Sequence, residues 1–213
     1  MRSSGRGRMR ISPTLSVRHE KVAGACKISV LCMVAIVCGI GMAGTQPVLG
    51  QSKTEDYEVK AEDLYNFAEF TEWPPNTFPD KKSPIAVCVF GKDPFSGDLE
   101  TTVLGKNKQG RSFETRHTNR VNGLRGCQMV FVDRTEAKHL PEILEAVKSA
   151  PVLLVGDRAD FVEKGGEIAF VTEDGKVHFI VNVDAVERAH LKISSKLLLL
   201  AKIVHDEATR KEN

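Results

Sequence analysis

The sequence predicts a single α/β domain, a three-layer sandwich on a mixed, mostly parallel sheet with a C-terminal β-hairpin and flanking helices. Helical segments separate three short apolar runs that are rich in β-branched residues, which favours parallel strands joined by right-handed crossovers. A hairpin with a tight Asp-Gly turn adds antiparallel strands at one side. The three runs and the hairpin are Pro84–Gly91, Cys127–Asp133, Pro151–Asp157 and Glu167–Asn182.

The remaining elements follow from local patterns, taken in chain order. Tyr57–Trp73 is predicted to be a helix that the following Pro74-Pro75 ends. After the first strand, Asp93 as cap and Pro94 as first helical residue predict a helix start. An outer strand, an amphipathic helix, a short helical segment and a final Leu-rich helix are predicted over Arg111–Thr118, Thr135–Ser149, Ala185–Ala189 and Ser194–Ala208.

The first fifty residues differ in composition from the rest of the chain. They contain seven Lys/Arg and one Glu, and residues 28–44 form an uncharged apolar run. That run is shorter than the ~20 residues that span a bilayer. Val48 and Gly50 fit the small-residue pattern before a signal-peptidase site. We therefore predict a cleaved secretory signal over residues 1–50 and one mature domain over residues 51–213; a retained N-terminal membrane anchor is the alternative.

Removal of the signal changes the charge of the protein. The mature segment has 23 basic and 27 acidic residues, a formal net charge of −4. The basic character of the whole chain therefore belongs to the targeting segment, and the domain lacks the electrostatic footprint of a nucleic-acid-binding protein. We expect a periplasmic protein that is not itself embedded in the membrane after cleavage.

Two cysteines, Cys88 and Cys127, remain after cleavage. In an exported protein an isolated pair is expected to form a disulfide. Closing a loop of about forty residues would stabilise the fold by ~4 kcal/mol on the chain-entropy account. The alternative is a pair of buried thiols on neighbouring strands.

Sequence signatures of catalysis are missing from the chain. There is no GxGxxG after a strand, no GxxxxGK[ST], no GxSxG, no HExxH and no CxxC. The five histidines after residue 50 are scattered singly, so no pair has the spacing of helical metal ligands. We predict no catalytic residues, no metal and no cofactor, and an enzyme has the least support.

Three aspartates follow predicted strands and suggest a ligand crevice. Asp93, Asp133 and Asp157 each come directly after an apolar run or within three residues of its end. In open α/β sheets, ligands bind beyond the carboxyl ends of parallel strands. The alternative interpretation is that these carboxylates cap the helices that follow.

Two apolar surfaces suggest a protein that acts by contact. On a helical projection Phe70 and Trp73 lie opposite the core-facing stripe of the first helix. Leu198 and Leu199 lie outside the stripe of the last helix. Aromatic and leucine side chains left exposed in this way are typical of protein interfaces. Alternatively, the segment around Phe78 folds back over Phe70 and Trp73, and the last helix is deeply buried.

The order of these elements resembles one known family. The motifs are VKAEDLYNFAEFTEWP, IAVCVFGKDPF, GCQMVFV and the run PVLLVGDRADFVEKGGEIAFVTEDGKVHFIVNVDAVERAHLKISSKLLLLAK. Together they cover nearly all of the mature chain and are similar to the YfiR-like periplasmic proteins. The resemblance implies a Cys88–Cys127 disulfide. A second cysteine pair expected in repressor members is absent, since Val162 and Ala169 occupy that neighbourhood.

The resemblance also implies a function. YfiR-like regulators bind the periplasmic sensory domain of an inner-membrane diguanylate cyclase and hold it inactive, which limits cyclic di-GMP and biofilm. We therefore expect a non-enzymatic regulator whose partner is a membrane signalling protein with a periplasmic sensor domain. A homodimer is left open. The alternative function is a small-solute sensor that uses the aspartate crevice and acts with a signalling partner.

Overall fold

The computed structural model describes residues 53–206 of the chain, so the predicted signal segment lies outside the described residues. It contains six α-helices in this range: α1 Lys53–Phe70, α2 Asp98–Val103, α3 Leu140–Val147, α4 Asp160–Glu163, α5 Val183–Arg188 and α6 Ser195–Leu198. Ten strands complete the described part: β1 Thr71–Glu72, β2 Ile85–Phe90, β3 Asn107–Lys108, β4 Arg111–Thr118, β5 Met129–Val132, β6 Leu153–Gly156, β7 Ile168–Glu173, β8 Lys176–Asn182, β9 Lys192–Ile193 and β10 Lys202–Val204.

Eight strands form one mixed sheet in the order β10-β8-β7-β6-β5-β2-β4-β3. The neighbours from β7 to β4 pair in parallel, which confirms the predicted parallel centre. β7 and β8 form the predicted antiparallel hairpin, whose turn residues Asp174 and Gly175 both have positive φ. β10 extends the sheet in parallel with β8.

Alternating residues of the buried strands form two cores, one on each face of the sheet. The first core packs α1 and α2 against residues such as Val87, Phe131 and Phe170. The second packs α3 and α4 against residues such as Phe90, Val132 and Leu154. Helices on both faces of a buried sheet make the predicted three-layer α/β sandwich.

The first helix follows its sequence pattern closely but ends earlier than predicted. The apolar stripe of α1 faces the sheet, with Leu64 and Phe67 fully buried. The helix ends at Phe70 rather than Trp73, because the chain leaves it to form β1. This short strand pairs with β9, through Thr71 opposite Ile193.

Between β2 and β6, two of the predicted helices differ from those in the structure. The helix predicted to start at Asp93 is wrong, because the Asp93 carboxylate accepts a hydrogen bond from the Phe95 backbone in a turn. The helix begins only at Asp98, after Gly97 at φ 99°. The helix predicted over Thr135–Ser149 is instead a 3-10 turn followed by α3.

The last predicted helix is wrong over most of its length. α6 stops at Leu198, and the chain turns into β10. In a continuous helix Leu200 would share the face of Leu197, three residues earlier, but Leu197 is buried and Leu200 is exposed. The reason is tertiary: β10 contains the β-branched Ile203 and Val204 and gains backbone pairing with β8, which outweighs the helical spacing of the leucines.

Candidate functional site

The carboxyl ends of neighbouring strands bring two of the three predicted aspartates side by side. Asp133 follows β5 and Asp157 follows β6, and the register sets Val132 opposite Gly156 immediately before them. Asp93 lies in the loop after β2, which neighbours β5 in the sheet. All three residues therefore lie at the edge of the sheet where ligands of open α/β folds bind.

Asp157 is the centre of a buried polar network. Its carboxylate accepts hydrogen bonds from the Tyr57 hydroxyl at 2.7 Å, the Lys60 ammonium at 2.7 Å and Arg134 Nε at 3.0 Å. The Lys60 and Asp157 side chains are only 3% and 1% exposed. Because both ions are desolvated, the pair is held by its close geometry, and it fixes α1 over the end of β6.

The network sets the protonation of its members. Burial, together with the hydrogen bond to Asp157, raises the pKa of Tyr57 well above its ordinary value. The Tyr57 hydroxyl therefore remains a donor over the physiological range. The charge of Asp157 likewise raises the pKa of Arg134, which stays a cation at the rim of the site.

Asp133 and Asp93 both bond to nearby backbone. One oxygen of Asp133 accepts hydrogen bonds from the backbone and the hydroxyl of Thr135, which caps the 3-10 turn after β5. Asp93 accepts from the Phe95 backbone at 2.8 Å. Asp133 therefore has the capping role of the alternative interpretation, whereas Asp93 bonds within a turn and the next helix begins after Gly97.

A cavity of ≈340 Å³ opens above this network. Asp93 and Asp133 line it, whereas Asp157 does not line it but accepts hydrogen bonds from two lining residues, Tyr57 and Arg134. Carboxylates and cations share the same wall, so the cavity offers both acceptors and donors to a small polar solute. Its full lining is Tyr57, Lys92, Asp93, Pro94, Phe95, Ser96, Asp98, Asp133, Arg134 and Thr135.

Phe70 and Trp73 are both partly buried. The Trp73 ring packs edge-on against Phe78, with centroids 6.4 Å apart, and its indole N–H donates to the Gln128 carbonyl at 3.2 Å. The Phe70 ring packs against the first core. The Phe78 segment therefore folds back over Trp73, and only part of each aromatic surface is accessible.

The segment after α6 carries a strongly exposed apolar surface. Leu198 is partly buried and packs on the first core. Leu199 is 85% exposed, Leu200 74% and Ile203 46%. We refer to Leu199, Leu200 and Ile203 as the C-terminal apolar surface. It carries one of the two leucines predicted to contact a partner.

The two predicted contact regions are neighbours in the structure although 120 residues or more separate them in sequence. The β1–β9 pairing sets Thr71 opposite Ile193, which brings the end of α1 to the start of α6. The Ser194 backbone also donates to the Phe70 carbonyl at 2.9 Å. Phe70 and Leu198 therefore lie in adjoining parts of one end of the domain.

Cys88 and Cys127 are joined by a disulfide, with their Cα atoms 6.0 Å apart. Cys88 lies in β2 and Cys127 two residues before the neighbouring β5, and both are buried in the second core. Val162 and Ala169 are buried in that same core. Apolar side chains thus fill the neighbourhood in which the resemblance expects a second cysteine pair.

Residues 53–206 contain neither a metal-binding cluster nor a membrane-spanning helix. No group of three or more His, Cys, Asp or Glu side chains there is arranged to hold a metal ion. No helix in the same range is both long and apolar enough to cross a bilayer.

Three residues of the strand-end site were not predicted from the sequence: Tyr57, Lys60 and Arg134. A signal was present for Lys60, because a lysine three residues after Tyr57 falls beside the buried stripe of an otherwise apolar helix face. A buried lysine requires a carboxylate, and the strand-end aspartates were the available partners. Arg134 had no comparable signal.

The chain is similar to one protein family and to two solved structures. A family model described as YfiR/HmsC-like matches residues 57–202. Two similar solved structures are an ABC domain in complex with L-Trp from Streptococcus pneumoniae and a conserved domain protein from Vibrio cholerae. The first is 14% identical with a TM-score of 0.48 and covers 68% of this chain. The second is 12% identical with a TM-score of 0.45 and covers 67%. The matches span 62% and 59% of those two chains, and carry no inference about ligand or function.

Proposed function

Because this chain belongs to the YfiR/HmsC-like family, we propose that it binds and restrains the sensory domain of an inner-membrane diguanylate cyclase. The family is one of periplasmic regulators that act on membrane signalling proteins. The identity of the cyclase partner and the act of restraint are the proposed steps. Such a protein works by contact and needs no catalytic residues of its own.

The C-terminal apolar surface is the observation that carries the proposal. Leu199 and Leu200 are adjacent and largely exposed, and Ile203 adds to them from the edge strand β10. Exposed apolar clusters of this kind are typical of sites where a partner docks. The adjoining Phe70 and the partly accessible Trp73 extend the proposed contact region.

Restraint follows if the protein binds one conformation of the sensor better than the other. A ligand shifts such an equilibrium only by the ratio of its affinities for the two states. Contacts through Leu199 that exist only in the inactive state would therefore lower cyclase output. Loss of the protein would raise cyclic di-GMP and favour biofilm.

Affinity purification from the envelope fraction after cross-linking tests the partner. The wild-type protein should capture a membrane protein with a cytoplasmic cyclase domain. Leu199→Ser should lose that capture and remain folded, because the side chain is exposed. Leu104→Ser is the matched control, since Leu104 is 81% exposed elsewhere on the domain. If Leu199→Ser captures the membrane protein as well as Leu104→Ser does, the C-terminal apolar surface is not the contact site.

The strand-end cavity favours a second candidate function, that of a small-solute sensor. The cavity is lined by charged groups that suit a small polar solute, among them Asp93, Asp133 and Arg134, and binding of the solute would change the affinity for the partner. Native mass spectrometry of the protein purified under non-denaturing conditions would show an added mass of a few hundred daltons if a solute is bound. A preparation with the mass of the chain alone, before and after incubation with a periplasmic extract, would count against this function.

A further inference from the structure

The strand-end cavity contains a buried acceptor that the domain itself does not use. Asp133 is only 5% exposed and lines the cavity. Its Oδ1 accepts both hydrogen bonds from Thr135, whereas its Oδ2 has no hydrogen-bond partner among residues 53–206. Burial has removed most of the water that would otherwise solvate this oxygen. A ligand that donates a hydrogen bond to Oδ2 would therefore be favoured.

Two further carboxylates of the same cavity have free oxygens. Asp93 Oδ1 accepts from the Phe95 backbone, which leaves Oδ2 unbonded within the described residues. Asp98 begins α2, and its side chain forms no hydrogen bond in the same range. Both aspartates are partly buried. Three carboxylates thus contribute free acceptor oxygens to one cavity.

The cations near the cavity do not neutralise these acceptors. Arg134 Nε and Nη2 both donate to Asp157, and Lys60 donates to the same residue. Lys92 is exposed and forms no ion pair within residues 53–206. The buried network and the cavity lining together contain four carboxylates and three cations. The site therefore has an excess of one negative charge and favours a positively charged ligand.

An organic cation fits the cavity better than a metal ion does. No group of three or more His, Cys, Asp or Glu side chains among residues 53–206 is arranged to hold a metal. An ammonium group has three donors on a rotatable bond, so it bonds to acceptors that lack a fixed coordination geometry. The volume of ≈340 Å³ accommodates a short chain, and Pro94 and Phe95 supply apolar wall for its methylene groups.

We propose that the strand-end cavity binds a small aliphatic amine, whose ammonium groups donate hydrogen bonds to the free carboxylate oxygens of Asp93, Asp98 and Asp133. This inference rests on the second candidate function, the small-solute sensor, and names the chemical class of its solute. It does not depend on the cyclase partner, because the cavity shares no residue with the C-terminal apolar surface.

Isothermal titration calorimetry of the purified protein with three matched probes tests the charge of the ligand. The probes are 1,4-diaminobutane, 1,4-butanediol and succinate, which have the same carbon chain length and differ in charge. The wild-type protein should bind the diamine and should bind neither the diol nor succinate. Low ionic strength is used because salt screens the attraction between the diamine and the carboxylates.

Substitutions in the cavity lining give a second test of the ligand charge. Asp133→Asn should weaken diamine binding about tenfold or more, because a charged hydrogen bond is lost while the amide oxygen still accepts from Thr135. Lys92→Met should strengthen binding, since it removes a cation that repels the ammonium groups. An anionic ligand would reverse both signs. Glu145→Gln is the control and should bind as the wild type does, because Glu145 is 75% exposed and does not line the cavity.

Asp93→Asn guards against a loss of binding that is caused by misfolding. Asp93 is partly buried, and the amide oxygen of asparagine can still accept from the Phe95 backbone. Thermal unfolding should show that this variant is folded, and its diamine binding should be weaker than that of the wild type.

The possible results separate this proposal from the second candidate function. Binding of the diol or succinate in place of the diamine would overturn the amine assignment and keep a solute-binding cavity. Absence of binding by all three probes would overturn the amine assignment, as would unchanged diamine binding by both Asp133→Asn and Asp93→Asn. Native mass spectrometry of the purified protein then decides independently whether a solute of another class is bound.

Discussion

The Lys60 ammonium lies 2.7 Å from the Asp157 carboxylate, and both side chains are almost fully buried. Lys60 belongs to α1 and Asp157 directly follows β6, so the pair connects the first helix to the middle of the sheet. Removing Lys60 leaves the buried Asp157 carboxylate with the Tyr57 hydroxyl and the half-exposed Arg134, which compensate its charge only in part. We therefore expect Lys60→Met to lower the free energy of unfolding by ~3 kcal/mol, the lower end of the cost of breaking a buried ion pair.

Urea denaturation at neutral pH measures this cost. Arg134→Ala is the matched comparison, because Arg134 contacts the same carboxylate but its side chain is 54% exposed. Its loss should cost about 1 kcal/mol or less. Replacing both ions, as in Lys60→Met/Asp157→Leu, should cost less than Lys60→Met alone. Equal costs for Lys60→Met and Arg134→Ala would contradict a dominant buried pair.

Glu167 predicts a pH dependence of stability. Its carboxyl is buried next to β6 and accepts a hydrogen bond from the Leu154 backbone at 2.9 Å. Burial raises its pKa to about 8 from 4.5, against the opposing effects of that hydrogen bond and of Arg188. Between these two values the folded protein holds a proton that the unfolded chain has lost. Stability therefore falls as pH rises from about 4.5 to about 8.

Replacement of Glu167 by glutamine should remove this pH dependence of stability and keep the hydrogen bond from the Leu154 backbone. Gln128 makes the equivalent contact two strands away, where its side-chain oxygen accepts from the Ala86 backbone at 2.8 Å. The stability of Glu167→Gln should exceed that of the wild type at pH 8 and match it near pH 5. Thermal unfolding of both proteins across this range gives the difference, which isolates Glu167 from other titrating groups. If the difference in stability between the two proteins is the same at pH 5 and pH 8, the Glu167 carboxyl has the same pKa in the folded and unfolded states.

The sequence was most informative where short-range pattern and burial agree. Continuous β-branched runs predicted β2, β5 and β6, because only a strand buried on both faces has such a composition. The Asp174-Gly175 turn predicted the hairpin, since both positions require positive φ. The disulfide was predicted from the expected export of the chain and from the two cysteines left after cleavage, and in the structure it joins Cys88 and Cys127.

The failures have a common physical cause in long-range contacts. The spacing of Leu197 and Leu200 is compatible with a helix, but residues 202–204 pair with the edge of β8 and form a strand. Local sequence patterns do not show which strand edge the chain will meet after folding. The polar site was missed for the same reason, because Arg134 reaches Asp157 only after β5 and β6 have paired.

Gly156 and Gly166 give a third prediction, which concerns the Phe161 ring. A Cβ on Gly156 would lie 2.2 Å from Phe161 Cγ, and one on Gly166 would lie 2.1 Å from Phe161 Cε1. The ring is buried, so it has little room to move. Each Gly→Ala change should therefore destabilise the domain by ~1–3 kcal/mol.

Gly123→Ala is the matched control for these two changes. Nothing lies within 4 Å of a Cβ at Gly123, and its φ is not in the left-handed region. Urea denaturation should show a shift within about 0.5 kcal/mol for this variant. Phe161→Leu combined with Gly166→Ala should recover part of the loss if the ring is the obstacle. If Gly156→Ala or Gly166→Ala is as stable as the wild type, the Phe161 ring moves aside to make room for the added Cβ.

The Cys88–Cys127 bond gives the last prediction, on covalent stabilisation. The bond closes a loop with a sequence separation of 39 and lies in the second core, away from solvent. On the chain-entropy account, its removal should cost ~4 kcal/mol. Double replacement by Ala adds the loss of buried sulfur contacts, so Cys88→Val/Cys127→Ala, which fills more of the volume, should cost less than the double alanine. Oxidised and reduced wild-type protein compared by urea denaturation separates the cross-link from the packing. If reduction leaves the unfolding midpoint unchanged, the bond stabilises neither the fold nor the β2–β5 pair.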